Sequence, residues 1–257
     1  MAAMSQSNEP LDEVVERFWE VMEMRRGEPG ATYRVQFDAR HFTFRDAAGV
    51  VPYLNALGVS HLYASPCLKA RSGSVHGYAI VDYTALNPEL GEERDFEDMV
   101  AALKAHDMGQ ILDFVPNHMS AAPGENPWWD DVLENGPSSA YADFFDVDWR
   151  PVKEELRNKV LLPVLGQQFG RALEAGELVL HYDRGAFFVT YYDTRLPLDP
   201  RTYATPLTHR LEDLRKAMPD DSDDLRELES ILTALDYLPE RSERDPERVD
   251  ERQREKE

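Results

Sequence analysis

The chain has 257 residues, 42% of them hydrophobic and 10% aromatic, enough for one large α/β domain or two small ones. A formal charge of −21 argues against nucleic acid as a partner, since phosphates need lysine and arginine, and fits an uncharged or cationic ligand. A single cysteine, Cys67, excludes an intramolecular disulfide and a cysteine metal cluster.

The opening "MAAMSQSNEPLDEVVERF" lacks the basic and apolar regions of a secretory leader, and no apolar run approaches the roughly 20 residues that span a bilayer. A cytoplasmic protein with no membrane partner is expected. Residues 1–30 read as an N-terminal helical appendage. Leu11, Val14, Val15, Phe18 and Met22 share one helix face, either docked on the domain or kept for a partner, and Gly27, Pro29 and Gly30 stop the helix.

Residues 31–118 alternate strand and helix. "ATYRVQF" has the two-residue period of a strand, with Tyr33, Val35 and Phe37 against Arg34 and Gln36. "TFRDAAGVVPYLNALG" puts Phe44, Ala47, Ala48, Val51, Leu54 and Leu57 mostly on one helical face, so Pro52 either kinks this helix or lies in a late first turn. "VSHLYASP" is a second strand. In "EERDFEDMVAALKAHDMG", Phe96, Met99, Val100 and Leu103 form a stripe, with Gly109 as the stop. "QILDFVP", more continuously apolar, is a third strand expected to be covered on both faces. Such alternation predicts parallel strands with right-handed crossovers, and functional residues gathered beyond the strands' carboxyl ends.

Residues 119–207 read as an inserted subdomain with a hairpin in "GELVLHYDRGAFFVTYYD", turning at Asp183-Arg184-Gly185. Trp128, Trp129 and Trp149 fit the core of this insert better than a carbohydrate cleft. Residues 208–257 read as helical, with Leu225, Leu228, Leu232 and Leu235 on one face and a helix start at Asp245-Pro246-Glu247.

Two clusters carry chemistry. Asp113, Asn117 and His118 follow the third strand and combine acceptor, mixed and donor groups, as hydroxyl-rich ligands demand. The plain alternative is a loop anchor and a turn after Pro116. His76 and Tyr78 lie in the long loop after the second strand, where a tyrosine can stack on a sugar ring or, with Tyr83, fill the loop's own core. No metal-ligand spacing, nucleotide loop or nucleophile elbow is present.

Together these pieces resemble glycoside hydrolase family 13, the α-amylase superfamily of (β/α)8 barrels. "DFVPNH" is similar to that family's motif at strand three, and "HGYAIVDYTALNPELG" to its loop after strand two. "ATYRVQF", "VPYLNALGVSHLYASP" and "GSVHGY" resemble, more narrowly, the malto-oligosyltrehalose synthase subgroup. The resemblance implies an α/β fold: the first three strands of a (β/α)8 TIM barrel in 31–118, an insert after strand three, and a helical segment. It also implies intramolecular transglucosylation, an isomerase reaction of trehalose biosynthesis that turns the reducing-end α-1,4 linkage of a maltodextrin into α,α-1,1.

By the resemblance His76, Tyr78, Asn117 and His118 bind substrate and Asp113 supports the strand-end network, with no metal and no cofactor. The family's nucleophile follows strand four and its acid strand five, and no matching stretch occurs here. The expectation is therefore a fragment without catalytic residues, inactive alone, whose partners are maltodextrin and the remaining barrel or a second copy at the open sheet edge. An amylase-like hydrolase or glucanotransferase, and a non-catalytic glucan-binding module, are the alternatives.

Overall fold

The computed structural model describes residues 11–24, 29–219 and 222–256, in two compact units. Unit 1 comprises residues 1–68, 73–78 and 85–115, and unit 2 comprises 69–72, 79–84 and 116–257.

In unit 1 the first helix, α1 (Leu11–Met24), forms as its periodicity predicts, yet Val14, Val15 and Phe18 are about half exposed and do not dock. Gly27 and the side chains of Leu11 and Met22 lie outside the described residues. Strand β1 (Thr32–Val35), helix α2 (Phe44–Ala56) and strand β2 (His61–Ala64) follow in the predicted order.

Helix α2 starts at Phe44 because the Asp46 carboxylate accepts from both the N–H and the hydroxyl of Thr43, 2.8 and 2.7 Å. It runs through Pro52 without restarting. Phe44, Ala47, Val51 and Leu54 are buried, whereas Leu57, one residue past the helix end, faces solvent.

The long segment after β2 is not irregular. It contains β3 (Leu68–Ala70) and β4 (Ile80–Leu86), which pair as a two-stranded sheet. Helix α3 (Glu93–Ala105) then buries Met99 and Leu103. Its end differs from expectation: Asp107 takes the left-handed turn, φ 53°, and Gly109 instead opens strand β5 (Gly109–Leu112). A Cβ at Gly109 would lie 2.4 Å from the His61 ring, so glycine is required by the neighbouring strand and not by the helix stop.

The sheet order is β1-β2-β5, all parallel, with Arg34 opposite Tyr63 and Tyr63 opposite Ile111. One face supplies Val35, Leu62 and Ala64 to a core with Phe37, Phe44, Val51, Leu54, Met99 and Leu103. Each valine, leucine, phenylalanine or methionine so buried contributes about 1.5–3 kcal/mol. Phe44 meets Phe37 and Phe96 edge-on at 5.2 and 5.3 Å. Coverage of the third strand on both faces is not found. Leu112 and Phe114 are more than half exposed, because β5 is an edge strand whose sole strand neighbour among the described residues is β2. Cys67 is buried in this core, and burial pushes its thiol up to about 12.

Within unit 2, α4 (Pro127–Asn135) is capped by buried Asn126, whose side-chain oxygen accepts from the N–H groups of Trp128 and Trp129. Trp129 is buried, and Trp128 stacks on Tyr141 at 4.9 Å, as expected of an insert core. After α5 (Phe169–Glu174) come β6 (Leu178–Asp183), β7 (Ala186–Tyr191) and β8 (Thr194–Pro197), an antiparallel sheet. Its first turn is the expected one, with Arg184 and Gly185 at φ 49° and 84°.

Helices α6 (Ala204–Leu207), α7 (Leu211–Ala217), α8 (Asp223–Tyr237) and α9 (Pro246–Lys256) complete the unit. Leu225, Leu228, Leu232 and Leu235 share a half-buried face, and Asp245 caps α9 by accepting from Glu247 N–H at 3.0 Å. The charged tail is no solvated fringe. Arg252 is 1% exposed and donates to Asn135 Oδ1 (3.1 Å), Asp199 Oδ1 (2.7 Å) and the Pro239 carbonyl. Lys256 Nζ joins Asp131 and Glu134 at 3.2 and 3.0 Å.

Arg252→Ala takes the guanidinium away from a partly buried carboxylate, a buried amide oxygen and a carbonyl, and is expected to destabilise the chain by about 3 kcal/mol in denaturant unfolding. A loss under about 1 kcal/mol would show the helix to be dispensable.

A second prediction concerns acid. The Arg45 guanidinium, 2.6 Å from Asp95, and then the Glu92 backbone hold the Asp95 carboxyl below its ordinary 3.8. A depressed carboxylate stabilises fully above that ordinary value, and its contribution is lost as pH falls below it. Melting temperature should therefore drop below about pH 4, and Asp95→Asn should lower it at neutral pH while flattening the acid limb.

Candidate functional site

The carboxyl ends of β1, β2 and β5 are stitched together beyond the strands proper. Ser65 N–H donates to the Val35 carbonyl (3.1 Å), Asp113 N–H to the Ala64 carbonyl (2.9 Å), and Phe37 N–H to the buried Ser65 hydroxyl (2.9 Å). The backbone of Asp113 is thereby fixed one step beyond β5, on the sheet face opposite the core.

On this face side chains from all three strand ends meet. The Tyr78 hydroxyl donates to Asp113 Oδ2 at 2.5 Å and accepts from Arg34 Nη2 at 3.3 Å. The Arg34 guanidinium carbon lies 5.9 Å from the centre of the Tyr63 ring. Partial desolvation first, then the Asp113 charge, raises the Tyr63 phenol above its ordinary 10.0.

The segment 73–78 is held to β1 by Gln36, whose side-chain amide donates to the carbonyls of Phe37, Val75 and His76 at 3.1–3.4 Å. Tyr78 N–H donates to His76 Nδ1 (3.0 Å), which leaves the imidazole proton on Nε2, and the two rings stack 5.9 Å apart. Gly77 has φ +79°, and a Cβ there would approach the Pro66 carbonyl oxygen to 2.9 Å.

The structure thus brings His76, Tyr78 and Asp113 together in unit 1. Asn117 and His118 are exposed neighbours in unit 2, with His118 Nδ1 3.4 Å from Asn117 Oδ1. Their turn is tied by Tyr83, whose hydroxyl donates to the His118 carbonyl at 2.6 Å, and by Ser120 N–H, which donates to the Ile80 carbonyl at 2.8 Å.

Sequence reading missed Arg34, Gln36 and Tyr63. Arg34 and Gln36 were visible as the polar half of the "ATYRVQF" alternation, and Tyr63 as the aromatic in "HLYA", but only the parallel register puts them beside Asp113.

Chemically the cluster sets carboxylate, phenols, guanidinium and imidazole around one pinned aromatic, groups able to exchange hydrogen bonds with hydroxyls and to pack on an apolar ring face. No group of three or more His, Cys, Asp or Glu among the described residues could hold a metal, and none of their helices is long and apolar enough to cross a membrane.

Residues 44–197, more than half of the chain, match the family model described as alpha amylase, catalytic domain. The chain belongs to that family. It is 44% identical over 163 residues to a putative maltooligosyl trehalose synthase of Mycobacterium tuberculosis (strain ATCC 25618 / H37Rv), a match covering 58% of this chain and 21% of the relative. The solved maltooligosyltrehalose synthase from Arthrobacter ramosus superimposes with TM-score 0.57 and 39% identity, over 66% of this chain and 21% of that one. A hypothetical maltooligosyl trehalose synthase of Sulfolobus tokodaii gives TM-score 0.57 at 33% identity, over 74% of this chain and 24% of that one.

The chain spans about a fifth of the length of the curated relatives it matches. The fold expectation holds: an α/β chain carrying the first three strands of a (β/α)8 barrel, an insert after the third and a helical segment.

Gly77→Ala must force a positive φ and push the Pro66 carbonyl, at a cost of about 1–2 kcal/mol for the left-handed conformation alone. The expected result is a lower melting temperature with a changed near-ultraviolet dichroism from Tyr78. An unchanged spectrum and melt would mean that the segment accommodates a side chain freely.

Proposed function

We propose that this chain supplies part of the maltodextrin site of a malto-oligosyltrehalose synthase-type isomerase, and that His76, Tyr78, Asn117 and His118 contact the saccharide. The observation that carries the proposal is the Tyr78 ring, pinned at the sheet end by Asp113 in a chain that is 44% identical over 163 residues to a protein of that description.

A pyranose has an apolar face that packs on an aromatic ring and a rim of hydroxyls that need donors and acceptors. Tyr78 offers the ring, and His76 Nε2–H offers a donor beside it. Asn117 and His118, on the turn tied by Tyr83, are assigned further hydroxyl contacts. Asp113 acts on the sugar through Tyr78.

The reaction of this class retains anomeric configuration. A carboxylate attacks the anomeric carbon while a carboxylic acid protonates the leaving oxygen, and the released unit's own hydroxyl, instead of water, captures the intermediate. None of the residues assigned here takes either carboxylate role. The outer edges of β1 and β5 have no strand partner among the described residues, and further strands or a second copy of the chain are the partners that suit them.

At about −0.3 kcal/mol per non-hydrogen atom, one gripped hexose unit corresponds to a dissociation constant on the order of millimolar. Titration with maltotriose, followed by nuclear magnetic resonance, should move the His76 and Tyr78 signals in that range, and Tyr78→Ala should abolish the effect. Signals unmoved at tens of millimolar (roughly tenfold beyond that expectation) would remove the saccharide assignment. Incubation with maltopentaose should leave reducing ends unchanged, whereas their steady loss would place nucleophile and acid within this chain.

A further inference from the structure

We propose that Arg34 and Tyr63 are positioning residues for the Tyr78 ring, Arg34 by its own bond to the Tyr78 hydroxyl and Tyr63 through the Asp113 carboxylate that grips the same hydroxyl. The proposal rests on the saccharide reading above and deepens it.

A tyrosine that stacks on a ligand has two side-chain torsions to fix, and its phenol end is the lever that fixes them. Here that end is held twice, by Asp113 Oδ2 at 2.5 Å and by Arg34 Nη2 at 3.3 Å. Tyr63 lies under the Arg34 guanidinium, and the charge of the same Asp113 carboxylate acts on its phenol. Arg34 closes the loop, because its guanidinium overlies the Tyr63 ring and also donates to Gln36 Oε1 at 3.0 Å. Gln36 in turn holds the carbonyls of Val75 and His76, on either side of the imidazole that stacks against Tyr78.

The four side chains therefore form a closed circuit drawn from three parallel strand ends and one loop. It has little to do with holding the core. Arg34 is exposed, and none of the four belongs to the buried cluster that joins the sheet to α2 and α3. Guanidinium is the one cation shaped for the position. It must stack flat on a ring and donate from Nη2 to two oxygens, which a lysine ammonium cannot do at once.

A ring held in its bound orientation avoids the loss of rotamer freedom on binding, which corresponds to about two- to tenfold in affinity. The test uses the full chain labelled with 3-fluorotyrosine, in wild type and in Arg34→Met, Arg34→Lys, Tyr63→Phe and Tyr78→Phe variants. Arg34→Met and Tyr63→Phe should each weaken maltotriose binding by about two- to tenfold while leaving the melting temperature unchanged. Arg34→Lys should recover only part of the loss. Arg34→Met combined with Tyr78→Phe should bind no more weakly than Tyr78→Phe alone, since both break one circuit.

The fluorine resonance of Tyr78, identified by its disappearance in Tyr78→Phe, should move in Arg34→Met and Tyr63→Phe before any sugar is added. If that resonance stays in place, or if the losses in the double variant add, the positioning role is overturned. If it moves but no variant, wild type included, binds maltotriose, the saccharide reading falls and the circuit stands.

Discussion

Everything at the candidate site depends on the register of three short parallel strands. In a parallel pair, residues level with each other point to the same side, so one choice of register sorts every side chain. Here it sends Val35, Leu62 and Ala64 toward the helices and leaves Arg34, Tyr63 and Ile111 in a row on the other face. Asp113, two positions beyond Ile111, inherits that face. A slip of one residue would exchange the two sets, burying a guanidinium in the core and exposing its leucine.

How much of this could be read beforehand follows from the range over which each feature is determined. The strand–helix alternation and the stripes of α2 and α3 are local periodicities, and they appear where the pattern places them. So does the polar end of β5, because "LDFVPNH" announces a carboxylate and a turn without reference to other segments. Gly109 was misread as a helix stop because the demand for it comes from His61, on a different strand. The tight left-handed step fell to Asp107 instead. Arg34 and Tyr63 stayed hidden for the same reason: a residue's partner on the next parallel strand is separated by a whole helix, and no spacing rule encodes it. The pairing of β3 with β4 was hidden by the polar residues between them, which look irregular when the eye follows only hydrophobic runs.

The charged segment near residue 250 teaches the opposite lesson. Its composition argues for solvent, since lysine, arginine and glutamate are rarely buried unless paired. Pairing is what happens. Asn135, Asp199 and the Pro239 carbonyl converge on Arg252, and Asp131 and Glu134 on Lys256, so individual partners overrule the average. The same accounting tempers the net charge of −21 as a guide to function, because some of the acidic residues have an internal task.

This anchoring also sets an order of events during synthesis. The bond from Arg252 to Asn135 closes 117 residues of chain, and that from Lys256 to Asp131 closes 125. The three strands of the β1-β2-β5 sheet, by contrast, all lie within residues 32–112. As the polypeptide leaves the ribosome, the parallel sheet can therefore assemble while the helix carrying Arg252 is still untranslated. For that interval Asn135 and Asp199 have no Arg252 guanidinium to accept from.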